Sequence, residues 1–281
     1  MAEKQPFVSF FNKPVLSLTG VSNTAQTFKG FGVEIEVESR REQPPCNGWR
    51  TTRDGSLRAQ WTREYNFTGP QQLKNAKYLL DLLEKKFSGS DCGRYDSVRA
   101  GVHIHIDFGD AEAIQLFTFL TCYYILEELL VDKCGVGRQG NHFCLRAVDA
   151  ESITDNVARC VGRQSFSGFG MNTYRYCALS MVPLFRYGSV EFRAIRTPKD
   201  FTTIYPWLEL FAELRENART FSNPIAVVEQ FSGGGYVPFV KNLLPNNHKF
   251  VLSGSTNTEE KLMRGVRLAQ EIAYSTTNWE G

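Results

Sequence analysis

Three segments of this chain place ionisable side chains at every second position inside otherwise apolar runs: Gly32-Val33-Glu34-Ile35-Glu36-Val37-Glu38, Gly101-Val102-His103-Ile104-His105-Ile106-Asp107 and Gly188-Ser189-Val190-Glu191-Phe192-Arg193. Successive side chains of a strand point to opposite faces, so Glu34, Glu36 and Glu38 share one face and Val33, Ile35 and Val37 the other. The same division holds for His103, His105 and Asp107 against Val102, Ile104 and Ile106, and for Glu191 and Arg193 around Phe192. A sheet with one face in the core and one in water produces such a pattern, but its wet face ordinarily carries Thr, Ser, Lys and Gln. Here the polar positions are almost all of metal-ligand type, which points to an acidic, metal-binding concavity.

Carboxylates gathered on one wall are costly. Two of them about 4 Å apart repel by roughly 4 kcal/mol at an effective dielectric near 20. Glu34, Glu36 and Glu64 brought together would either raise a pKa strongly or recruit cations, and recruiting cations is the cheaper solution. Several Glu with a His and no thiolate suit Mg²⁺ or Mn²⁺ better than structural zinc. Arg138, Arg175 and Arg193 suit a polyphosphate, because planar guanidinium donors match phosphate oxygens and stay charged. Carboxylates and arginines together suggest a metal nucleotide.

Composition narrows the class. With 281 residues the chain can bury a substantial core, and a net charge of +2 gives no general indication of a nucleic-acid partner. The seven cysteines are scattered without a C-x-x-C pair, and no signal-peptide pattern opens the chain, which fits reduced thiols in the cytoplasm. The apolar stretch Ile114 to Val131 approaches membrane-spanning length but contains Gln115, Glu127 and Glu128, so a buried core helix is expected and no membrane partner.

Residues 1–30, rich in Ser, Thr and Asn after Phe7 to Phe11, read as an arm or loose strand. Residues 31–281 read as a single α+β domain with a helical C-terminal region. Trp49 to Phe67 reads as a hairpin turning tightly at Asp54-Gly55. Thr68-Gly69-Pro70 opens a helix with Leu73, Ala76, Leu80, Leu83 and Phe87 inward. Asp110 caps the next helix, which ends before Gly135. Tyr174 to Arg196 reads as two strands joined across Phe185 to Gly188. Asp200 caps a helix with Pro206 in its early turns, and a final helix runs from about Glu259 to Tyr274. Ser232 to Pro245 reads as a Gly-rich flexible loop or lid; Gly233-Gly234-Gly235 lacks the Lys-Ser or Lys-Thr of a phosphate-binding loop.

The ordered set Gly32 to Glu38, Trp49…Asp54-Gly55-Ser56-Leu57…Glu64, His103-Ile104-His105-Ile106-Asp107, Arg138 to Cys144 and Arg175-Tyr176-Cys177-Ala178-Leu179-Ser180…Gly188 to Arg193 closely resembles the amidoligases. These belong to the carboxylate-amine ligase superfamily of glutamine synthetase and glutamate-cysteine ligase. The resemblance spans roughly Phe31 to Leu214. It implies a curved, mainly antiparallel sheet with helices on its convex side, as in the catalytic fold of glutamine synthetase. It also implies ATP, divalent metals, a small-molecule or peptide carboxylate and an amine, joined through an acyl phosphate. Carried over by motif, Glu34, one of His103 and His105, and Glu191 surround one metal; Glu36 and Glu64 hold a second. Arg193 neutralises the transferring phosphoryl group, and Arg138 meets nucleotide phosphate or substrate carboxylate. Glu191, Arg193 and Glu64 are thus the expected catalytic residues, with Arg138, Arg175 and Arg193 on the nucleotide.

Asp54 either approaches the amine or serves as a turn residue. Tyr65 to Pro70 departs from the Ser-Pro turn common in the family, and Ser180 stands where relatives often have Asn. His142 and His248 read as ordinary loop histidines, Cys144 and Cys177 as core thiols. Two rival readings are a metal-dependent hydrolase using the same side chains and a non-catalytic virion or binding protein that retains the fold. Self-assembly into a homo-oligomer stays open.

Overall fold

The period-two segments form the centre of a six-stranded sheet in a computed structural model that describes residues 9–21, 28–135, 137–138, 144–147, 153–170 and 176–277. Its strands are β1 (Phe31–Ser39), β2 (Trp49–Thr52), β3 (Trp61–Phe67), β4 (Gly101–Asp107), β5 (Leu179–Ser180) and β6 (Ser189–Arg196). Their order is β2-β3-β1-β4-β6-β5, with every paired neighbour antiparallel. The chain is therefore α+β.

Val33, Ile35, Val37, Val102, Ile104, Ile106, Val190 and Phe192 are each no more than 2% exposed, which fixes the apolar face of the sheet as the core face. Helices α1 (Val15–Thr19), α2 (Leu73–Ser88), α3 (Ala113–Asp132) and α4 (Ile153–Gly162) come before β5. The short α5 (Leu184–Tyr187) joins β5 to β6. Then follow α6 (Tyr205–Ala218), α7 (Pro224–Gly234), α8 (Tyr236–Leu243), α9 (His248–Leu252) and α10 (Thr258–Thr277).

Rings connect the layers. Tyr65 of β3 meets Phe87 of α2 at 5.5 Å, while Phe192 of β6 meets Tyr123 of α3 at 6.1 Å and Phe211 of α6 at 5.0 Å. Burying a side chain such as Phe192 contributes about 1.5–3 kcal/mol. The helix α3 is long and apolar enough to cross a membrane, yet nearly all of it is buried, apolar on every side because α10 covers the flank away from the sheet.

Several local expectations need correction. Phe10, Phe11 and Val15 are not in a loose arm: they are buried, and Phe10 packs on Phe117 and Phe166. The β2–β3 connection is a loop over residues 53–60, and Gly55 does not take the positive φ that a tight primed turn requires. Pro70 stays outside α2 because Gln71 pairs with the Phe31 backbone in both directions at 2.8 Å, which delays the helix to Leu73. Glu112, in a capping box with Gln115, caps α3, whereas Asp110 is taken by Arg215 and Arg219.

A helix, not a simple turn, connects β5 to β6, and Gly188 reverses the chain at φ 71°. Ser232 to Pro245 is largely helical: Val227 and Phe231 of α7 and Phe239, Val240 and Leu243 of α8 are buried, and their burial outweighs the helix cost of Gly233 and Gly234. Asp200 caps the 3₁₀ turn Phe201–Ile204 that leads into α6, with Pro206 in the first turn. Residues 1–8, including Phe7 and Val8, lie outside the described residues, as does Tyr174.

Candidate metal and phosphate site

Strand register assembles the polar face. Glu34 lies opposite His103, Glu36 opposite Glu64, and His105 opposite Glu191. Between the pairs Val102↔Ile195 and Ile104↔Phe192, β6 has one more residue than β4, so the ladder carries a bulge opposite His103. Ordinary alternation puts Glu191 and Arg193 on the polar side, and the bulge then returns Ile195 to the core beside Val102.

The ligand types fall into two groups. Donor atoms of Glu34, His105 and Glu191 lie within 4.8 Å of one another, and so do those of Glu36, Asp54 and Glu64. In the first group His105 Nε2 is 3.2 Å from Glu34 Oε1, and its Nδ1 is 3.3 Å from Ser189 Oγ, which orients the ring. His103 is buried between the acids, with Nδ1 3.2 Å from both Glu34 Oε2 and Glu191 Oε1. Arg193 Nη1 donates to both oxygens of Glu191 at 3.3 Å. Burial pushes the Glu34 carboxyl up, but hydrogen bonds and charge from His103 and His105 outweigh it and hold Glu34 well below the usual carboxylate range. Burial alone would lower His103; the Glu34 hydrogen bond and the Glu191 charge instead raise it.

In the second group burial pushes Glu36 up to about 7, opposed by the His103 charge and reinforced by Asp54. Asp54 moves the other way: burial would raise it, but hydrogen bonds from Glu36 and from the Ser56 amide lower it. The two shifts run in opposite directions, as in a pair of close carboxyls. Glu36 Oε2 also accepts the Gly101 N–H at 2.7 Å. Glu64 Oε1 accepts from Asn66 Nδ2 at 2.7 Å and Thr52 Oγ1 at 3.0 Å. Six oxygen or imidazole donors without a thiolate fit hard divalent cations such as Mg²⁺ or Mn²⁺.

Arg138 is buried beside this group, donating through Nη2 to Ala100 O at 2.9 Å and Ile195 O at 3.3 Å, and its buried Nε has no hydrogen-bond partner among the described residues. A Cβ on Gly101 would sit 2.8 Å from Arg138 Nη2 and 3.4 Å from Glu36 Oε2, so a larger residue there would displace the guanidinium. Arg175 and His142 lie outside the described residues. All seven cysteines are buried and free, and burial pushes the Cys177 thiol up to about 12 and raises Cys144 as well. Neither thiol is a poised nucleophile.

Beyond the Glu34–His105 end of the wall opens a cleft of about 410 Å³, lined by Lys29, Arg50, Arg186, Phe67, Tyr187 and Ser189 among others. Among the described residues, the side chains of Lys29, Arg50 and Arg186 take part in no ion pair, although Arg186 lies 5.0 Å over the Tyr187 ring. Sequence reading missed these three cations, which come from separate elements. Thr52 and Asn66, also missed, obey the same period-two rule as Glu64 and could have been found by extending it to β2 and β3.

Comparison with known protein families and with curated proteins finds no match to this chain. The sheet face therefore carries the functional argument.

Proposed function

We propose that this protein is an ATP- and Mg²⁺-dependent carboxylate-amine ligase, an amidoligase with a glutamine-synthetase-like sheet, acting in the cytoplasm where its thiols stay reduced. The observation that carries the proposal is the pairing of two donor groups, Glu34/His105/Glu191 and Glu36/Asp54/Glu64, on one sheet face with Arg193 beside the first. The ordered motifs shared with amidoligases support it.

In this reading each group holds one divalent cation, and bound cations would supply charge neutralisation for phosphoryl oxygens during transfer. Arg193, oriented by Glu191, presents a guanidinium to the γ-phosphoryl group. His103 fixes Glu34 and Glu191 from below, and Ser189 fixes the ring of His105. Lys29, Arg50 and Arg186 meet the remaining phosphates in the cleft, with Tyr187 and Phe67 offering apolar walls to the nucleotide. The carboxylate substrate attacks the γ-phosphorus to give an acyl phosphate and ADP. The neutral amine then displaces phosphate beside the Glu36/Asp54/Glu64 group, and its proton leaves with the departing phosphate.

Incubation with ATP, Mg²⁺ and pooled amino acids and amines should release ADP and phosphate in equal amounts, and Glu191→Gln should abolish release while the protein stays folded. Bond cleavage without nucleotide would favour the hydrolase instead. Absence of both ATP binding and turnover would favour the non-catalytic reading.

A further inference from the structure

Glu38, the third acid of β1, belongs to neither donor group, yet it is only 7% exposed. Its Oε1 accepts two successive backbone N–H groups, Arg58 at 2.5 Å and Ala59 at 2.9 Å. The Ser97 hydroxyl, whose interaction helps hold the Glu38 carboxyl below its ordinary value, accepts the N–H groups of Arg99 and Ala100 at 3.1 and 3.2 Å. The Glu38 carbonyl accepts the Tyr95 N–H at 2.8 Å. One residue thus ties two loops to the end of β1, the first through its side chain and the second through its carbonyl.

The first of these loops, residues 53–60, carries Asp54. Among the described residues it makes no backbone–backbone hydrogen bond to the rest of the chain. Its anchors are the buried Leu57, the bend in which Asp54 accepts the Ser56 N–H at 2.6 Å, and the two amides held by Glu38. A carboxylate accepting paired backbone amides makes charge-assisted bonds, stronger than the neutral bonds typical of a loop. Without them the loop keeps only its apolar pin at Leu57 and the Asp54–Glu36 contact, so the two amides are what orient the segment between them and set the position of Asp54.

We propose that Glu38 is a positioning residue: by holding the Arg58 and Ala59 amides it sets Asp54 against Glu36 and Glu64 and so completes a three-carboxylate site for a divalent cation. This rests on the cation-binding reading above. It goes beyond that reading by making the second site, and not the first, depend on a residue that touches no ligand. The first group draws on β1, β4 and β6 and shares no anchor with residues 53–60.

The test uses the full chain with Mn²⁺ as the probe, counting bound ions by electron paramagnetic resonance and following backbone amide exchange at residues 56–59. Wild type should bind two Mn²⁺. Glu38→Met, which keeps volume but has no acceptor, should weaken the second by about tenfold or more, the usual effect of losing a supporting partner. It should also speed exchange at residues 56–59 and leave the first ion unchanged. Glu38→Gln, whose amide oxygen can still accept both N–H groups, should stay within about threefold of wild type in both readouts.

Asp54→Asn should weaken the second ion while the Arg58 and Ala59 amides stay protected. Equal loss in the Gln and Met variants would overturn positioning in favour of a charge effect. Unchanged binding in the Met variant would overturn it outright. If Glu38→Met does not fold, Glu38→Ala takes its place in the same comparison. Failure of wild type to bind any Mn²⁺ would overturn the cation reading itself, and the positioning role with it, and is distinguished by appearing before any substitution is made.

Discussion

At the scale of single residues, the core helix α3 buries an acid away from the polar face of the sheet. Glu127 of α3 is 2% exposed; Oε2 accepts the Ala147 N–H at 2.6 Å and Oε1 takes the Tyr123 hydroxyl at 3.1 Å. Burial, only partly offset by those bonds and by Arg146, pushes its carboxyl up to about 8. The folded protein therefore binds this proton more tightly than the unfolded chain does. Stability is fully present below the unfolded value near 4.5 and falls as pH rises towards 8. Glu127→Gln can accept the Ala147 N–H through its oxygen and donate its amide N–H to the Tyr123 hydroxyl, without the charge. It should leave thermal stability at pH 5 nearly unchanged and raise it at pH 8.5, by an amount on the order of a few kcal/mol. Melting curves at the two pH values check this; equal effects at both would contradict it. Nothing in the sequence distinguishes Glu127 from its neighbour Glu128, which instead forms an ion pair with Arg264, because the difference arises only when α10 packs on one side of α3.

At the scale of elements, the strands were legible because period-two alternation is local: β1, β4 and β6 form where Glu34, His103 and Glu191 alternate with aliphatic residues. The helix starts and the β2–β3 loop were less so, because distant partners decide them. Gln71 answers to Phe31, Asp110 to Arg215, and the amides of residues 58 and 59 to Glu38. The contact of α10 with α3 is equally non-local. A Cβ on Gly265 would lie 2.4 Å from Tyr124 O and 2.6 Å from Ile125 O, both backbone atoms that cannot swing aside. Gly265→Ala would ordinarily favour the helix, but here it should destabilise the fold by about 1–3 kcal/mol through overpacking. Denaturant unfolding should show a lower midpoint with Mn²⁺ binding retained; a midpoint at or above wild type would contradict the close helix approach.

At the scale of the whole molecule, charge is graded along the polar face. Lys29, Arg50 and Arg186, in no ion pair among the described residues, line the cleft at the Gly30–Gly32 end together with Glu34 and Asp107, and Glu36, Asp54 and Glu64 gather towards the other. Glu36 and Glu64 were readable because each lies in a strand with its own alternation, whereas Asp54 reaches them from the β2–β3 loop. Lys29, Arg50 and Arg186 were not, since they precede β1, sit in the edge strand β2 and occupy α5, and only the sheet order brings them to one cleft. Such a gradient suits an anionic nucleotide at one end and an amine at the other, with transfer to a carboxylate between them. The direct test is to supply ATP, Mg²⁺, amines and carboxylic acids labelled with ¹⁸O in the carboxyl group, and to weigh the released phosphate. An acyl-phosphate ligase transfers one ¹⁸O from the carboxylate to phosphate for each ADP formed. Phosphate formed without the label would mean that water, not a carboxylate, attacks the nucleotide, and would contradict the assignment.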